Sequence, residues 1–179
     1  MSPGAVALRP VEERDLALLA TWRTDRDRQG EYGDFLAIQR RNDRYRARWE
    51  EDGLLAATRG ALIVTLDAEP VGEVQWHAVA YGPGDGVHAL NIGICLDPAI
   101  RGRGVGGQAQ RLLADYLFAY TPVHRVEAST DVGNVAEQRA LEKAGYAREG
   151  VIRGAQFRQG AWHDMVSYGR LRTDPPAGS

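Results

Sequence analysis

The chain has 179 residues, of which 44% are apolar and 26% are charged, and this length and composition are typical of one globular domain. Its 22 basic and 24 acidic residues leave a net charge of −2, which gives no support to a nucleic-acid-binding domain. One cysteine excludes an internal disulfide and a cysteine-built zinc site, and the sequence has neither an apolar run of ~18 residues nor the layout of a signal peptide.

The N-terminal half predicts two helices followed by a meander of strands, because the apolar spacing changes from a helical to a strand period near residue 61. In chain order, its elements are a strand over 5–8, a helix from residue 11 to Trp22, a loop over 24–34, a helix over 35–52, and strands over 61–66, 71–79 and 88–96. On the last two strands the side chains alternate between an apolar and a polar face. The polar faces carry Glu73, Gln75 and His77 on the first of these strands, and Asn91, Gly93 and Cys95 on the second.

The C-terminal half alternates helices with strands, which favours an α/β fold. Its predicted elements are a helix over 105–120, a strand over 123–129, a helix over 134–144 that ends at Gly145, and strands over 146–157 and 162–171. The sequence shows no internal repeat. We therefore expect one domain over residues 1–172 and a disordered tail over 173–179, in a cytoplasmic protein without a metal site.

A glycine-rich segment, Arg101 to Gly107, lies between the strand that ends at Leu96 and the helix that begins at Val105. Glycine lets the backbone approach a ligand closely and adopt positive φ values. The free N–H groups and the positive dipole end of a helix N-terminus attract anions. The segment therefore predicts a diphosphate site, to which Arg101 and Arg103 add positive charge.

Two other phosphate-binding loops are weaker interpretations of this segment. Gly102, Gly104 and Gly107 match the G-x-G-x-x-G dinucleotide fingerprint, and Glu127 lies about 20 residues further on, as that fingerprint requires. However, several residues separate Leu96 from the first glycine, and the segment follows a strand meander instead of opening a β-α-β unit. No Gly-Lys-Ser/Thr follows the glycines, which excludes a P-loop.

The spacing Arg101-x-x-Gly104-x-Gly106 resembles the signature of the GNAT superfamily of N-acetyltransferases. That signature, Gln/Arg-x-x-Gly-x-Gly/Ala, lies between a central strand and a helix and cradles the diphosphate of coenzyme A. Residues 134–146 are similar to a later element of the family, Asn-x-x-Ser-x-Arg-x-x-Glu-Lys-x-Gly-Phe/Tyr. Residues 8–22, which begin Leu-Arg-Pro, resemble the RimJ/RimL-like branch of the family.

This resemblance extends over residues 6–171 and implies an α/β fold whose mixed, mostly antiparallel sheet splays at Leu96, with coenzyme A in the gap. It implies acetyl-CoA as co-substrate and direct acetyl transfer to a primary amine of a small molecule or of a peptide or protein N-terminus. Residues 162–164 resemble the closing strand of the family, which often takes part in dimer contacts, so a homodimer is one option. The implied coenzyme contacts are the backbone of Ile94, Cys95 and Leu96, the diphosphate loop of Arg101, Gly102, Arg103, Gly104, Val105, Gly106 and Gly107, and the side chain of Asn134.

The catalytic groups depart from the family pattern. The tyrosine that many relatives carry seven positions after the asparagine is here Leu141, and the serine of the RimL-like branch, three positions after it, is Glu137. Glu137 is a candidate acid or base, although it could equally face solvent or cap the helix that Asn134 begins. Asn91 replaces a glutamate of the central strand and can orient a water or the amine, and Glu73 is a further candidate on the substrate side.

The sequence leaves the acceptor open. By the resemblance, residues 25–34 and 81–86 would line its cleft, and His77 and His88 could lie on the same side of the sheet. Asp131 either binds a cationic substrate or serves as a turn residue. The altered catalytic positions also leave open a non-catalytic acyl-CoA-binding module of the same fold.

Overall fold

The computed structural model describes residues 4–33, 43–84 and 88–175. The helices are α1 (Asp15–Thr24), α2 (Arg26–Gly33), α3 (Asp43–Asp52), α4 (Val105–Tyr120) and α5 (Val135–Lys143). The strands are β1 (Val6–Pro10), β2 (Leu55–Ala56), β3 (Arg59–Leu66), β4 (Glu69–Ala80), β5 (His88–Leu96), β6 (Arg125–Asp131), β7 (Ala147–Arg158) and β8 (Ala161–Leu171). A short 3₁₀ turn, Pro98–Ile100, follows β5.

The strands form one sheet in the order β1-β3-β4-β5-β6-β8-β7, with β2 paired to β3. Neighbouring strands are antiparallel except for β5 and β6, which confirms the predicted mixed, mostly antiparallel sheet. The parallel ladder is short, since Leu90 pairs with Val126 and Asn91 with Glu127, and no later pair joins the described parts of the two strands. The sheet therefore splays beyond Asn91, earlier along β5 than the predicted position at Leu96.

Helices cover both faces of the sheet and fix its two cores. On one face α4 and α5 pack against β5, β6 and β8, where Leu90, Leu113 and Val126 are fully buried. On the other face α1 and α3 cover β3, where Leu19 and Ile63 are fully buried. Each large aliphatic side chain removed from water contributes about 1.5–3 kcal/mol, so these layers hold the helices in place around the splayed strands.

The segment 24–34, predicted as a loop, contains helix α2. The Asp25 carboxylate accepts hydrogen bonds from the N–H groups of Asp27 at 3.0 Å and Arg28 at 3.2 Å, and thereby caps the helix. No apolar period marks α2, because the side chain that it buries is that of Arg28. Gly30, with a φ of 65°, interrupts the helical conformation. This helix is thus held by the tertiary contacts of an arginine. It lacks the apolar stripe by which a helix is recognised in a sequence, and the sequence therefore predicts a loop.

The register corrects the expected position of one histidine. His77 pairs with Asn91 and shares its polar face. His88 instead pairs with Ala80 and lies on the face of Leu90, because successive side chains of a strand point to opposite sides of the sheet. The expectation that both histidines lie on the substrate side is therefore wrong for His88.

Parts of three predicted segments lie outside the described residues, namely 34–42 of the first loop and second helix, 85–86 of the cleft loop and 176–179 of the tail. Among the helices that are described, none is long and apolar enough to cross a membrane. Over the same residues, no group of three or more His, Cys, Asp and Glu side chains could hold a metal ion.

Candidate functional site

The candidate site lies where β5 and β6 separate. Beyond Asn91, the described part of β6 supplies no pairing partner to the edge of β5. Backbone N–H and C=O groups on such an edge can pair with a ligand that lies in the gap as an added strand. Ile94 and Cys95 are half-buried at this position, and Leu96 is buried in the core beside α4.

The loop after β5 forms an open cradle at the N-terminus of α4. Gly102 and Gly104 have φ values of 75° and 82°, and a Cβ atom added to either would meet no atom within 4 Å. Gly104 is the N-cap of α4, and its position has no side-chain cap. Because Val105, Gly106 and Gly107 are the first three residues of the helix, their N–H groups lack intrahelical acceptors. Together with the positive end of the helix dipole, this cradle fits a diphosphate.

The two arginines of the loop have different environments. Arg103 is exposed beside the cradle. Arg101 donates to the carbonyl of Leu96, at 3.3 Å from Nε and 3.1 Å from Nη2, and to the carbonyl of Arg28. These bonds hold the loop against β5 and α2, and they occupy the Leu96 carbonyl, which is one of the backbone groups that the resemblance assigned to the coenzyme. Arg103 therefore places a positive charge that an anion in the cradle can reach, whereas Arg101 shapes the loop.

Asn134 and Glu137 occupy the first turn of α5. The Asn134 Oδ1 accepts a hydrogen bond from the Glu137 N–H at 3.3 Å, so Asn134 caps the helix. Among the described residues its side-chain NH2 group has no hydrogen-bond partner, so this group is available to donate. The Glu137 carboxyl group turns toward α4, where its Oε1 accepts a hydrogen bond from Gln110 Nε2 at 2.6 Å. Glu137 is therefore half-buried against α4, and it does not complete a capping box.

The surroundings of Glu137 favour its neutral acid form. Burial raises the pKa of Glu137, and the hydrogen bond from Gln110 opposes this effect only in part. Gln110 is 1% exposed, and within the described structure its Oε1 has no hydrogen-bond partner. A protonated carboxyl group can donate to such an oxygen, whereas a carboxylate cannot. The sequence did not reveal Gln110, because a polar residue on α4 is ordinarily solvent-exposed.

An arginine holds Glu73 on the polar face of β4. Arg23 of α1 donates to both carboxylate oxygens, at 3.2 Å and 2.8 Å, and the Tyr45 hydroxyl lies 3.5 Å from Oε2. Glu73 is 6% exposed and pairs across the sheet with Cys95. Burial and, secondarily, the charge of Glu73 raise the pKa of the Cys95 thiol, which favours a small core residue over a nucleophile. The geometry thus places Glu73 in a structural ion pair with Arg23.

Asn91 lies at the last pair of the parallel ladder, between His77 of β4 and Glu127 of β6. The three side chains share the polar face of the sheet. Glu127 accepts hydrogen bonds from Arg125 Nε at 2.9 Å and from the Tyr81 hydroxyl at 2.8 Å. Since Glu127 is thus engaged, Asn91 and His77 are the groups of this row that can orient a water or an amine.

Asp131 ends β6 and takes part in a buried ion pair. Its Oδ1 accepts a hydrogen bond from the Gly133 N–H at 2.7 Å, and its Oδ2 accepts one from Arg158 Nη2 at 2.6 Å. Burial opposes ionisation, but these two bonds hold the pKa of Asp131 below its ordinary value. Because both oxygens are used within the protein, the structure favours the turn-residue interpretation over a contact with a cationic substrate.

The chain is similar to several known acetyltransferases. Residues 6–147 match the family model described as Acetyltransferase (GNAT) domain. The "Probable N-acetyltransferase YjcK" of Bacillus subtilis (strain 168) is 39% identical over 83 residues, so the match spans 46% of each chain, less than half the length of that relative. Aminoglycoside N(6')-acetyltransferase type 1 of Klebsiella pneumoniae is 28% identical over 163 residues, which are 84% of this chain and 78% of that protein. The fold resembles that of Mycobacterium smegmatis RimJ in complex with CoA-disulfide, with a TM-score of 0.77, 21% identity, and coverage of 97% of this chain and 86% of RimJ.

Proposed function

Because the chain belongs to the GNAT family of acetyltransferases, we propose that it transfers an acetyl group from acetyl-CoA directly to a primary amine. The observation that carries this proposal is the open, uncapped cradle from Gly102 to Gly107, which follows the free edge of β5. A helix N-terminus beside such an edge suits a ligand with a diphosphate at one end and an amide-bearing arm at the other. Coenzyme A has this chemistry.

The coenzyme contacts follow from these two features. The backbone N–H groups of the first turn of α4 would hold the diphosphate, and Arg103 would add charge. The pantetheine arm would lie along Ile94 and Cys95 and accept a hydrogen bond from the Asn134 side chain. A backbone N–H near Cys95 or Leu96 would then stabilise the negative charge that develops on the carbonyl oxygen.

The reaction requires two proton transfers beside the acyl transfer. A neutral amine attacks the thioester carbonyl, a C–N bond forms and the C–S bond breaks. The amine nitrogen loses one proton, and the departing thiolate takes up one proton. Glu137, whose environment favours the neutral acid, is the proposed donor to the thiolate. Asn91 is proposed to orient the amine or the water that accepts its proton, whereas Glu73, bound to Arg23, is proposed to support the cleft.

Replacement of Glu137 by Gln is expected to lower kcat several-fold and to leave the affinity for coenzyme A unchanged. Glutamine keeps the hydrogen bond from Gln110, but it cannot deliver a proton to the thiolate. Initial rates of thiol release at saturating amine measure the change. Glu50→Gln, at an exposed position of α3, is the matched control. An unchanged rate would remove Glu137 from the mechanism.

The stability of Glu137→Gln should also differ from that of the wild type in its dependence on pH. Burial raises the pKa of Glu137, so the folded chain keeps a proton that the unfolded chain releases above about pH 4.3. Since the native state binds more protons, the contribution of Glu137 to the free energy of unfolding falls as the pH rises. The Tm of Glu137→Gln should therefore rise relative to that of the wild type between about pH 4 and pH 7. A constant difference would contradict a raised pKa of Glu137.

The proposed activity is tested by thiol release from acetyl-CoA across a panel of primary amines. We expect release with at least one class of amine in the panel. Calorimetric binding of coenzyme A without release from acetyl-CoA across the panel would instead favour the non-catalytic acyl-CoA-binding module. Thermal stabilisation by NAD(P) and not by coenzyme A would favour the dinucleotide interpretation of the glycines.

The buried carboxylates of the polar face predict an acceptor with few positive charges. Each is already bound to an arginine within the protein, and Arg125 in addition pairs with Glu149, so the oxygens of these groups are engaged before a polycation arrives. The three are Glu73, Glu127 and Asp131. We therefore expect a lower KM for a singly charged amine, such as a peptide N-terminus, than for an aminoglycoside. A preference for the polycation, with a KM that rises steeply with salt concentration, would contradict this expectation.

We also propose that residues 1–172 form one acetyltransferase domain. The larger core cluster supports this proposal, because it includes buried residues from Leu62 on β3 to Tyr168 on β8. A homodimer that uses the β7–β8 hairpin is a further proposal. Phe157 and Trp162 support it, since their exposed rings contact each other edge to face at this hairpin, with centroids 5.4 Å apart.

A further inference from the structure

Helix α2 lies across the opening between β5 and β6. In its first half, Arg28 donates to Asp97 Oδ2 at 2.9 Å and to the Val71 carbonyl at 3.1 Å, beside the C-terminal end of β5. In its second half, the Tyr32 hydroxyl lies 3.5 Å from the position that a Cβ atom on Gly133 would take, just after β6. Helix α2 is therefore a wall that bonds to the end of β5 through Arg28 and comes close to the end of β6 at Tyr32.

A second contact connects this wall to the cradle. The Arg101 guanidinium donates both to the Arg28 carbonyl and to the Leu96 carbonyl. The helix bends at Gly30, where an added Cβ atom would lie 3.4 Å from Arg101 Nη1. The side chain of Arg28 thus holds the end of β5, while its backbone is held by the loop that begins at Arg101. A displacement of the loop reaches α2 through directed hydrogen bonds.

The burial of Arg28 suggests a role other than stability. Arg28 is 3% exposed, its guanidinium carbon lies 3.7 Å from the centre of the Trp22 ring, and within the described structure its Nε has no hydrogen-bond partner. Well-packed apolar side chains often stabilise a protein as much as a buried ion pair does. A guanidinium group does, however, fix the direction of the hydrogen bonds that it donates, because its donors have a rigid, planar geometry. Arg28 therefore sets the orientation of α2.

We propose that Arg28 is a positioning residue that couples occupancy of the coenzyme cradle to the placement of α2 as the acceptor wall. The inference rests on the proposed function. If acetyl-CoA lies in the gap between β5 and β6, the acceptor amine must approach it beside α2. A coenzyme in the cradle restrains the loop, Arg101 restrains Arg28, and α2 is ordered before the amine arrives. Since coupling is reciprocal, a bound amine also strengthens coenzyme binding.

Hydrogen exchange tests this coupling without an acceptor. In the wild type, coenzyme A should slow exchange of the α2 amides as well as those of the loop. In Arg28→Met, α2 keeps the bond from Arg101 to the backbone carbonyl of residue 28 but loses the side-chain bonds to Asp97 and Val71 that anchor the helix, so coenzyme A should slow exchange of the loop amides alone. Arg9→Met is the matched control, because it breaks a partly buried ion pair, with Asp15, away from the cradle. This control should keep the coenzyme-dependent protection of α2. Wild-type α2 amides that exchange equally with and without coenzyme A would overturn the proposal.

Steady-state kinetics separates positioning from folding. Arg28→Met should raise the KM for the amine about tenfold and change the Kd for coenzyme A, measured without amine, by less than about twofold. Arg28→Lys, which keeps the charge, should recover part of this loss. An unchanged amine KM, or an equal weakening of coenzyme A binding in the absence of amine, would contradict the assignment.

The failure of this coupling and the failure of the proposed function have different signatures. A wild type that releases no thiol with any amine, but whose α2 is protected by coenzyme A through Arg28, disproves transfer and retains the coupling. If Arg28→Met does not fold, Asp97→Asn removes the same ion pair from its other end. Asparagine can still accept the hydrogen bond from the Ala99 N–H, so the turn after β5 is kept and the same loss of α2 protection is expected.

Discussion

Replacement of Gly104 by Trp is expected to weaken coenzyme A binding about 100-fold or more, which corresponds to about 2.7 kcal/mol, with the fold retained. Gly104 has a φ of 82°, and a Cβ atom built on it would meet no atom within 4 Å, so the indole would project into the open cradle. There it would take the volume of the diphosphate and cover the N–H groups of the first turn of α4. Calorimetric titration with coenzyme A measures the loss.

Gly53→Trp is the matched control for this experiment. Gly53 has a φ of 63° and equally open surroundings, but it lies between α3 and β2. A side chain in left-handed backbone costs about 1–2 kcal/mol, so both variants should lose similar stability in thermal unfolding. Only Gly104→Trp should lose binding. Normal affinity in that variant would show that the assignment of the loop is wrong.

Replacement of Arg23 by Met should lower the free energy of unfolding by about 3 kcal/mol, because it leaves a buried charge uncompensated. The uncompensated charge is that of Glu73, whose two oxygens both accept hydrogen bonds from Arg23. Tyr45 cannot take over this role, since its hydroxyl lies 3.5 Å from Oε2 and carries no charge. Chemical denaturation at neutral pH measures the loss.

Two further variants define the cause of that loss. Adding Glu73→Gln to Arg23→Met should restore most of the stability, since a neutral amide needs no counter-ion. Arg46→Met removes an exposed pair with Glu13 and should cost less than about 1 kcal/mol. Equal losses for Arg23→Met and Arg46→Met would contradict the structural role. A fall of kcat in Glu73→Gln alone, with stability kept, would make Glu73 a catalytic candidate again.

The sequence predicted β5 and α4 closely because their signals are local and strong. The alternation around Leu90 and the helical spacing around Leu113 match the observed elements. It failed at α2, where a buried Arg28 takes the place of an apolar stripe. It also could not place His88, because one position of register decides which side of a sheet a side chain faces.

The sequence by itself determined the family and the strand–loop–helix unit around Gly104, since positive φ values at glycine and a two-residue or helical period are properties of neighbouring residues. Only the tertiary structure decided which polar groups meet and which protonation state they favour. The decisive pairs, which lie 50, 69 and 27 positions apart in the chain, are Arg23 with Glu73, Arg28 with Asp97, and Gln110 with Glu137. No local pattern specifies such partners, because they meet only when packing of the helices against the sheet brings them together and removes the water that would otherwise solvate each group.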